Sequence, residues 1–194
     1  MIARLLQTPK TTLIFIASCC ALVLNIFASR ILNASYEASK FPVPYFEAQL
    51  SFSAEKIKDW YSYLIEQNTL GVYIKTQHID FVFVVSVLLL HFFVLLLISR
   101  LYPPNHRGRR ALVLCALLST VAPIADAIEN LISYVMLLAP TRFPDGLALV
   151  YSSFAALKFA MFTFAYISAT IGLILGLFYF IRSRISQGSK ATLA

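Results

Sequence analysis

Four apolar stretches, at about 11–28, 81–101, 111–139 and 147–181, constrain this chain more than any other feature. A hydrocarbon core about 30 Å thick takes about 20 helical residues to cross, so each stretch reads as one span. The last two exceed the minimum and are expected to tilt or to project beyond the bilayer. Backbone groups in lipid must satisfy one another, which makes helices the expected spans, and no period-2 alternation suggests a β-barrel. Hydrophobic residues make up 59% of the 194 positions and charged residues 13%, with a mean hydropathy of +0.77. That balance leaves too little polar surface for a soluble α/β enzyme and excludes disorder and coiled coil. The expected fold is all-α, an integral membrane four-transmembrane-helix bundle forming one membrane domain over residues 1–194, with an extracytoplasmic amphipathic helix.

The charges predict orientation. Arg4 and Lys10 precede the first span. Arg100, Arg107, Arg109 and Arg110 lie between the second and third, and Arg182, Arg184 and Lys190 follow the fourth. These nine basic residues share one side of the membrane, and that side carries no Asp or Glu. Short basic loops stay in the cytoplasm, so both termini and the Arg100–Arg110 loop are expected there. The net charge of +7 is then a topology signal, and nucleic acid is excluded as a partner because the basic residues are not interleaved with aromatics on one face. Residues 1–28 have the outline of a signal peptide, with a basic start, an apolar run and Ala28, and are expected to remain as an anchor. Cys19, Cys20 and Cys115 fall inside spans and read as small packing residues; no disulfide framework, C-x-x-C motif or haem-attachment signature is present.

Residues 29–79 are expected outside the membrane. About fifty residues are few for an independent core, so this segment should lean on the bundle or on the bilayer. Phe41-Pro-Val-Pro-Tyr45 is a proline-stiffened connector. Ser53 can cap a helix with Glu55 in its first turn, and Ile57, Trp60, Tyr61 and Leu64 recur at helical spacing opposite Glu55, Lys58, Asp59 and Glu66. The pattern predicts an amphipathic helix over about 54–67. Trp60 and Tyr61 favour the membrane interface for it, and a cap over the bundle mouth is the compatible alternative. Asn33-Ala34-Ser35 matches a glycosylation sequon, a weak signal.

Function rests on a few ionisable residues within the spans. Asp126, Glu129 and Asn130 form D-x-x-E-N, whose spacing puts all three on one helical face, and Tyr134 extends that face by a turn. Pro123 predicts a kink near Ser119–Pro123. Lys158 is the only basic residue deep in a span, Asp80 marks one end of the second span, and His91 lies near its middle. At 1.5 Å per residue, Lys158 and Glu129 each lie roughly 15 Å below the outer ends of their helices, and His91 about 16 Å below Asp80. A charge at mid-bilayer costs at least ~2.5–3.5 kcal/mol, so Lys158 should face inward and pair with Asp126 or Glu129. Three acids against one lysine leave a site able to hold a proton, a cation or a polar ligand head. The alternative is a buried ion pair that only fixes helix register. His91 lacks companions for haem or zinc, since His78 is thirteen residues away on the same helix and His106 on the opposite side; it reads as a core histidine or a proton donor to the acids. Gly172 and Gly176 form G-x-x-x-G, which permits close helix contact within the bundle or with another copy.

The stretch from Phe46 to Lys158 resembles a family of small bacterial four-helix integral membrane proteins of unknown function. The resemblance is carried by Phe52-Ser53-Ala54-Glu55, Gly71-Val72-Tyr73, His78-Ile79-Asp80-Phe81, Pro123-Ile124-Ala125-Asp126-Ala127-Ile128-Glu129-Asn130 and Leu157-Lys158. Val72 stands where that family often has a basic residue. The resemblance implies that Asp80, Asp126, Glu129, Asn130 and Lys158 belong together, and that the membrane is the bacterial inner (plasma) membrane. It supplies no activity.

The reading that results is a protein that binds a small polar or lipid-like ligand in an intramembrane polar pocket open to the outer side. Asp80, Asp126, Glu129, Asn130, Lys158, His91 and Tyr134 are the candidate ligand-binding or proton-exchanging residues. One alternative is a membrane enzyme or proton-coupled carrier using Glu129 and Asp126, although no nucleophile–base pair, metal box or phosphate-binding loop names a reaction. Another is an accessory subunit whose charges are structural. No cofactor or metal is expected. The expected partners are membrane lipids, a small-molecule ligand, and a second copy of the chain or a larger membrane complex.

Overall fold

The computed structural model describes residues 2–191, and the side chains of residues 4–183. The side chains of Arg184 and Lys190, counted above among the basic residues, lie outside the described residues, as does Met1 at the start of the expected anchor. The described chain is helical throughout, without strands, and four stretches are long and apolar enough to cross a membrane. Short helix α1 (Ile2–Leu5) precedes α2 (Thr11–Ala38). Helices α3 (Tyr45–Gln49) and α4 (Ala54–Glu66) lie between α2 and α5 (Leu70–Ser99), and α6 (Arg107–Leu118), α7 (Val121–Leu137) and α8 (Gly146–Ala191) follow.

Two spans are longer than hydropathy alone indicates. Helix α2 continues to Ala38 rather than ending near Ala28, and α5 begins at Leu70 rather than near Phe81. Polar residues in these extra turns depress hydropathy without breaking the helix, because their side chains bond across to a neighbouring span. Ser35 Oγ and Thr76 Oγ1 share a hydrogen bond at 2.7 Å, and deeper along the same pair Asn25 donates to Ser86 at 3.0 Å. Such bonds glue helices together in lipid, where apolar burial gives little drive for association. The non-helical part of the expected outer segment is correspondingly shorter. The sequon Asn33-Ala34-Ser35 falls on regular helix in α2.

The third span is two helices. The break falls at Ser119-Thr120, where Ser119 Oγ donates to the Ala116 carbonyl (2.9 Å) and Thr120 Oγ1 to that of Leu117 (2.7 Å). The side chains thus add hydrogen bonds to carbonyls of the last turn of α6, where the helical ladder is interrupted. Pro123 then sits in the first turn of α7, where its missing N–H costs little.

Helix α4 forms where its pattern predicts, with the Ser53 hydroxyl accepting from Lys56 N at 3.3 Å. Its apolar face turns into the protein. Ile57, Tyr61 and Leu64 are buried against Tyr73, Met136, Phe143 and Tyr151, while half-buried Trp60 lies 6.0 Å from the Phe41 ring. Tyr61, 1% exposed, is therefore a core residue and not an interfacial anchor, because the bundle offers this face a closer-packed apolar surface than lipid headgroups do. At the other end, Arg100 donates to the carbonyls of Leu6 (2.6 Å) and Leu5 (3.0 Å) and Arg109 to that of Leu6, clamping the N-terminal arm, while Arg109 also donates to the Tyr102 carbonyl (3.2 Å) in the α5–α6 loop. We call these the capped end and the basic end.

The small-residue stripe on α8 is occupied from within the chain. A Cβ added at Gly172 would lie 2.5 Å from Leu112 Cδ2, and one at Gly176 3.0 Å from Leu101 Cδ1. Tyr102 also donates its hydroxyl to the Gly172 carbonyl at 3.0 Å.

Candidate functional site

Helix α7 presents Asp126, Glu129 and Asn130 on one face, as three- and four-residue spacing requires. All three are buried, Glu129 completely. Lys158 of α8, 3% exposed, reaches this face: its Nζ is hydrogen-bonded to Asp126 Oδ1 at 2.8 Å and lies 2.5 Å from Glu129 Oε2. The second contact is a close ion pair, and the other Glu129 carboxyl oxygen, Oε1, has no hydrogen-bond partner among the described residues. Asn130 Nδ2 donates to Asp80 Oδ2 on α5 at 2.7 Å. Two polar links therefore join three spans at one level, α7 to α8 through the lysine and α7 to α5 through the asparagine.

Against this cluster lies a cavity of about 410 Å³. Asp80, Asp126 and Lys158 form its charged wall. Thr76 and Gln77 of α5 and Gln49 of α3 add polar groups toward the capped end. Aromatic side chains supply much of the remainder, including Tyr36, Tyr73 and Tyr151 toward the capped end and Phe159, Phe162 and Tyr166 along α8. Two wall oxygens, Gln49 Oε1 and Gln77 Oε1, are buried with no hydrogen-bond partner among the described residues. Helices α2 and α8 stand on opposite sides of the cavity, and among the described residues no close helix packing joins them; α2 packs on α5, and α8 on α7. Asn33 of α2 and Tyr166 of α8 both line the cavity and are both exposed.

The charged residues that the sequence singles out are thus brought together, in two layers. Asp80, Asp126 and Lys158 touch the cavity, whereas Glu129 and Asn130 sit behind the wall and reach it through Lys158 and Asp80. His91 and Tyr134 do not line it. His91 is packed edge-on against Phe162 (5.6 Å) and Tyr166 (5.1 Å), nearly three turns further along α5 than Asp80, with Nδ1 unpartnered. The Tyr134 ring stacks with Phe81 at 6.2 Å and meets His78 edge-on at 5.2 Å. Among the described residues, no three His, Cys, Asp or Glu side chains are arranged to hold a metal ion.

Sequence reasoning missed most of the wall. Tyr73, Thr76, Gln77, Asp80, Phe83 and Val87 recur at three- and four-residue intervals and form one stripe of α5. That periodicity was the available signal, and starting the span at Phe81 cut the stripe in half. Lys158, Phe162 and Tyr166 form the matching stripe on α8 at strict four-residue spacing. Compared with known protein families, with characterised proteins and with solved structures, the chain matches none.

Proposed function

We propose that this protein is a membrane-embedded binding protein for a small amphiphile, which reaches its site sideways from the bilayer through the gap between α2 and α8. One observation carries the reading: a charged, incompletely hydrogen-bonded wall and a row of aromatic side chains belong to the same cavity, lined by residues of both α2 and α8. A polar head would rest against Asp80, Asp126 and Lys158, and its apolar tail would lie along Phe159, Phe162 and Tyr166. Ligand sites are commonly concave and mostly apolar with a few converging polar groups. Ionisable residues inside a membrane mark function more often than they mark architecture. The positive-inside rule gives the orientation: Arg100, Arg107, Arg109 and Arg110 lie in the cytoplasm with both termini, and the capped end with its cavity faces outward across a bacterial inner membrane.

Photolabelling of the full-length protein in zwitterionic nanodiscs, with a single-chain dodecyl amphiphile bearing a diazirine at its chain end, tests this. Label on Leu32, Phe159, Phe162 or Tyr166, lost on competition with unlabelled amphiphile, is the expected result. Non-competable label confined to the lipid-facing Leu173, Ile174 and Phe178, which are exposed on the basic half of α8, would overturn it.

Glu129 supports a second reading. Its fully buried carboxyl, with the Lys158 ammonium as its one polar partner among the described residues, is the arrangement of a proton-exchanging group in a proton-coupled carrier. Proton uptake into liposomes that disappears in Glu129→Gln would favour it over simple binding.

A further inference from the structure

Resting on the cavity reading above, we infer that the amphiphile carries a positively charged head, a primary amine or a quaternary ammonium, and that the site discriminates against anionic lipids. The charges on the wall motivate this. Among the described residues Lys158 is the single basic residue lining the cavity. Its ammonium is already engaged by Asp126 and Glu129, so it has little left to offer an anion. Asp80 is not engaged in that way: among the described residues its one hydrogen bond comes from Asn130 to Oδ2. With Glu129 behind the wall, three carboxyls stand beside one ammonium, so each carboxyl beyond the first is costly to ionise there without a further cation. A cationic head supplies that cation, and an anionic head adds to the cost.

Two independent features agree. Gln77, 8% exposed, lines the cavity, and its side-chain oxygen is buried with no hydrogen-bond partner among the described residues. A primary ammonium has three donors and no acceptor, so the unpartnered oxygens of Gln77 and Gln49 match it. Three lining tyrosines also cluster at the cavity: Tyr36 has Tyr45 at 5.9 Å and Tyr73 at 6.4 Å, both roughly edge-on. Rings at steep angles around a common space can turn faces toward a cation, the arrangement by which aromatic cages hold quaternary ammonium groups. A phosphate or carboxylate head would meet the Asp80 and Asp126 carboxylates, and the one cation on the wall, Lys158, is already paired with Asp126 and Glu129.

The experiment compares three probes with one dodecyl chain: dodecyltrimethylammonium, dodecyl phosphate and dodecyl maltoside. Each is titrated against the full-length protein in zwitterionic nanodiscs, and partition into empty nanodiscs is subtracted. The cationic probe is expected to bind about tenfold or more tighter than the other two, the ratio that one well-formed charge or cation–π contact supplies. In Asp80→Asn, the ratio of cationic to uncharged affinity is expected to fall. Equal affinity for all three probes, or preference for the phosphate, overturns the cationic assignment and leaves the binding cavity standing. Absence of saturable binding for every probe overturns the cavity reading itself. The wild-type series decides these outcomes even if Asp80→Asn fails to fold.

Discussion

Lys158 Nζ and Asp126 Oδ1 lie 2.8 Å apart, with the two side chains 4% and 3% exposed. The pair crosses from α8 to α7, and Glu129 closes it from the other side. Its energetics differ from those of Lys58 and Asp145, 2.6 Å apart at the surface with Asp145 80% exposed, because water screens the second pair and not the first.

Removal of one member of the buried group should cost much more than removal of all its charges. Lys158→Met leaves two carboxyls without their cation and is expected to destabilise the protein by about 3–5 kcal/mol. The joint replacement Asp126→Asn, Glu129→Gln and Lys158→Met is expected to cost less than Lys158→Met alone while abolishing binding of the cationic probe. Unfolding titrations beside binding measurements check both statements. A triple variant that still binds would assign the charges to architecture alone.

Asn130→Ala should weaken the α5–α7 contact without touching the cavity wall directly. It removes the one donor to Asp80 among the described residues, and loss of such a buried partner costs about 1–3 kcal/mol. Reversible unfolding in detergent measures it, and a loss below a few tenths would mean that the Asp80 carboxyl finds another donor.

Gly172→Ala should destabilise by about 1–3 kcal/mol, as overpacking does. The added methyl would meet Leu112 Cδ2 at 2.5 Å, and Leu112→Ala in the same chain should restore part of the loss. A Gly172→Ala protein of unchanged stability but altered oligomeric state would instead assign the small-residue stripe to a second copy of the chain.

High pH should unfold the capped end through Tyr61. Burial pushes its hydroxyl from 10.0 up to about 12, so the folded protein resists an ionisation that the unfolded chain undergoes freely. The stability that neutral Tyr61 contributes is present below about pH 10 and is lost as pH rises to about 12, roughly 2–3 kcal/mol over that window. Unfolding free energies at pH 9, 10, 11 and 12 are expected to fall less steeply in Tyr61→Phe than in the wild type. Parallel profiles would contradict this.

Much of this architecture is legible in the residues themselves. The number of spans follows from apolar length, the break in the third span from Ser119, Thr120 and Pro123, and the α4 helix from the Ser53 cap and the Ile57–Tyr61–Leu64 periodicity. The extra turns of α2 and α5 were hidden because hydropathy scores a side chain without knowing its partner. Ser35 and Thr76 look like loop residues until each is found opposite the other. Tyr61 likewise looks interfacial until Tyr73 and Phe143 are seen to enclose it.

The sequence by itself determined that a lysine and two carboxyls, Lys158, Asp126 and Glu129, lie deep in apolar helices and had to pair, because isolated charges in hydrocarbon cost too much to leave unpaired. Which of them meet, and which face an open space, only the tertiary structure decided. Helix spacing within one segment is fixed by local geometry, but the rotation and separation of α2, α5, α7 and α8 depend on contacts between residues far apart in the chain. Those contacts put Glu129 and Asn130 behind the wall, Asp80 and Asp126 on it, and a cavity between α2 and α8.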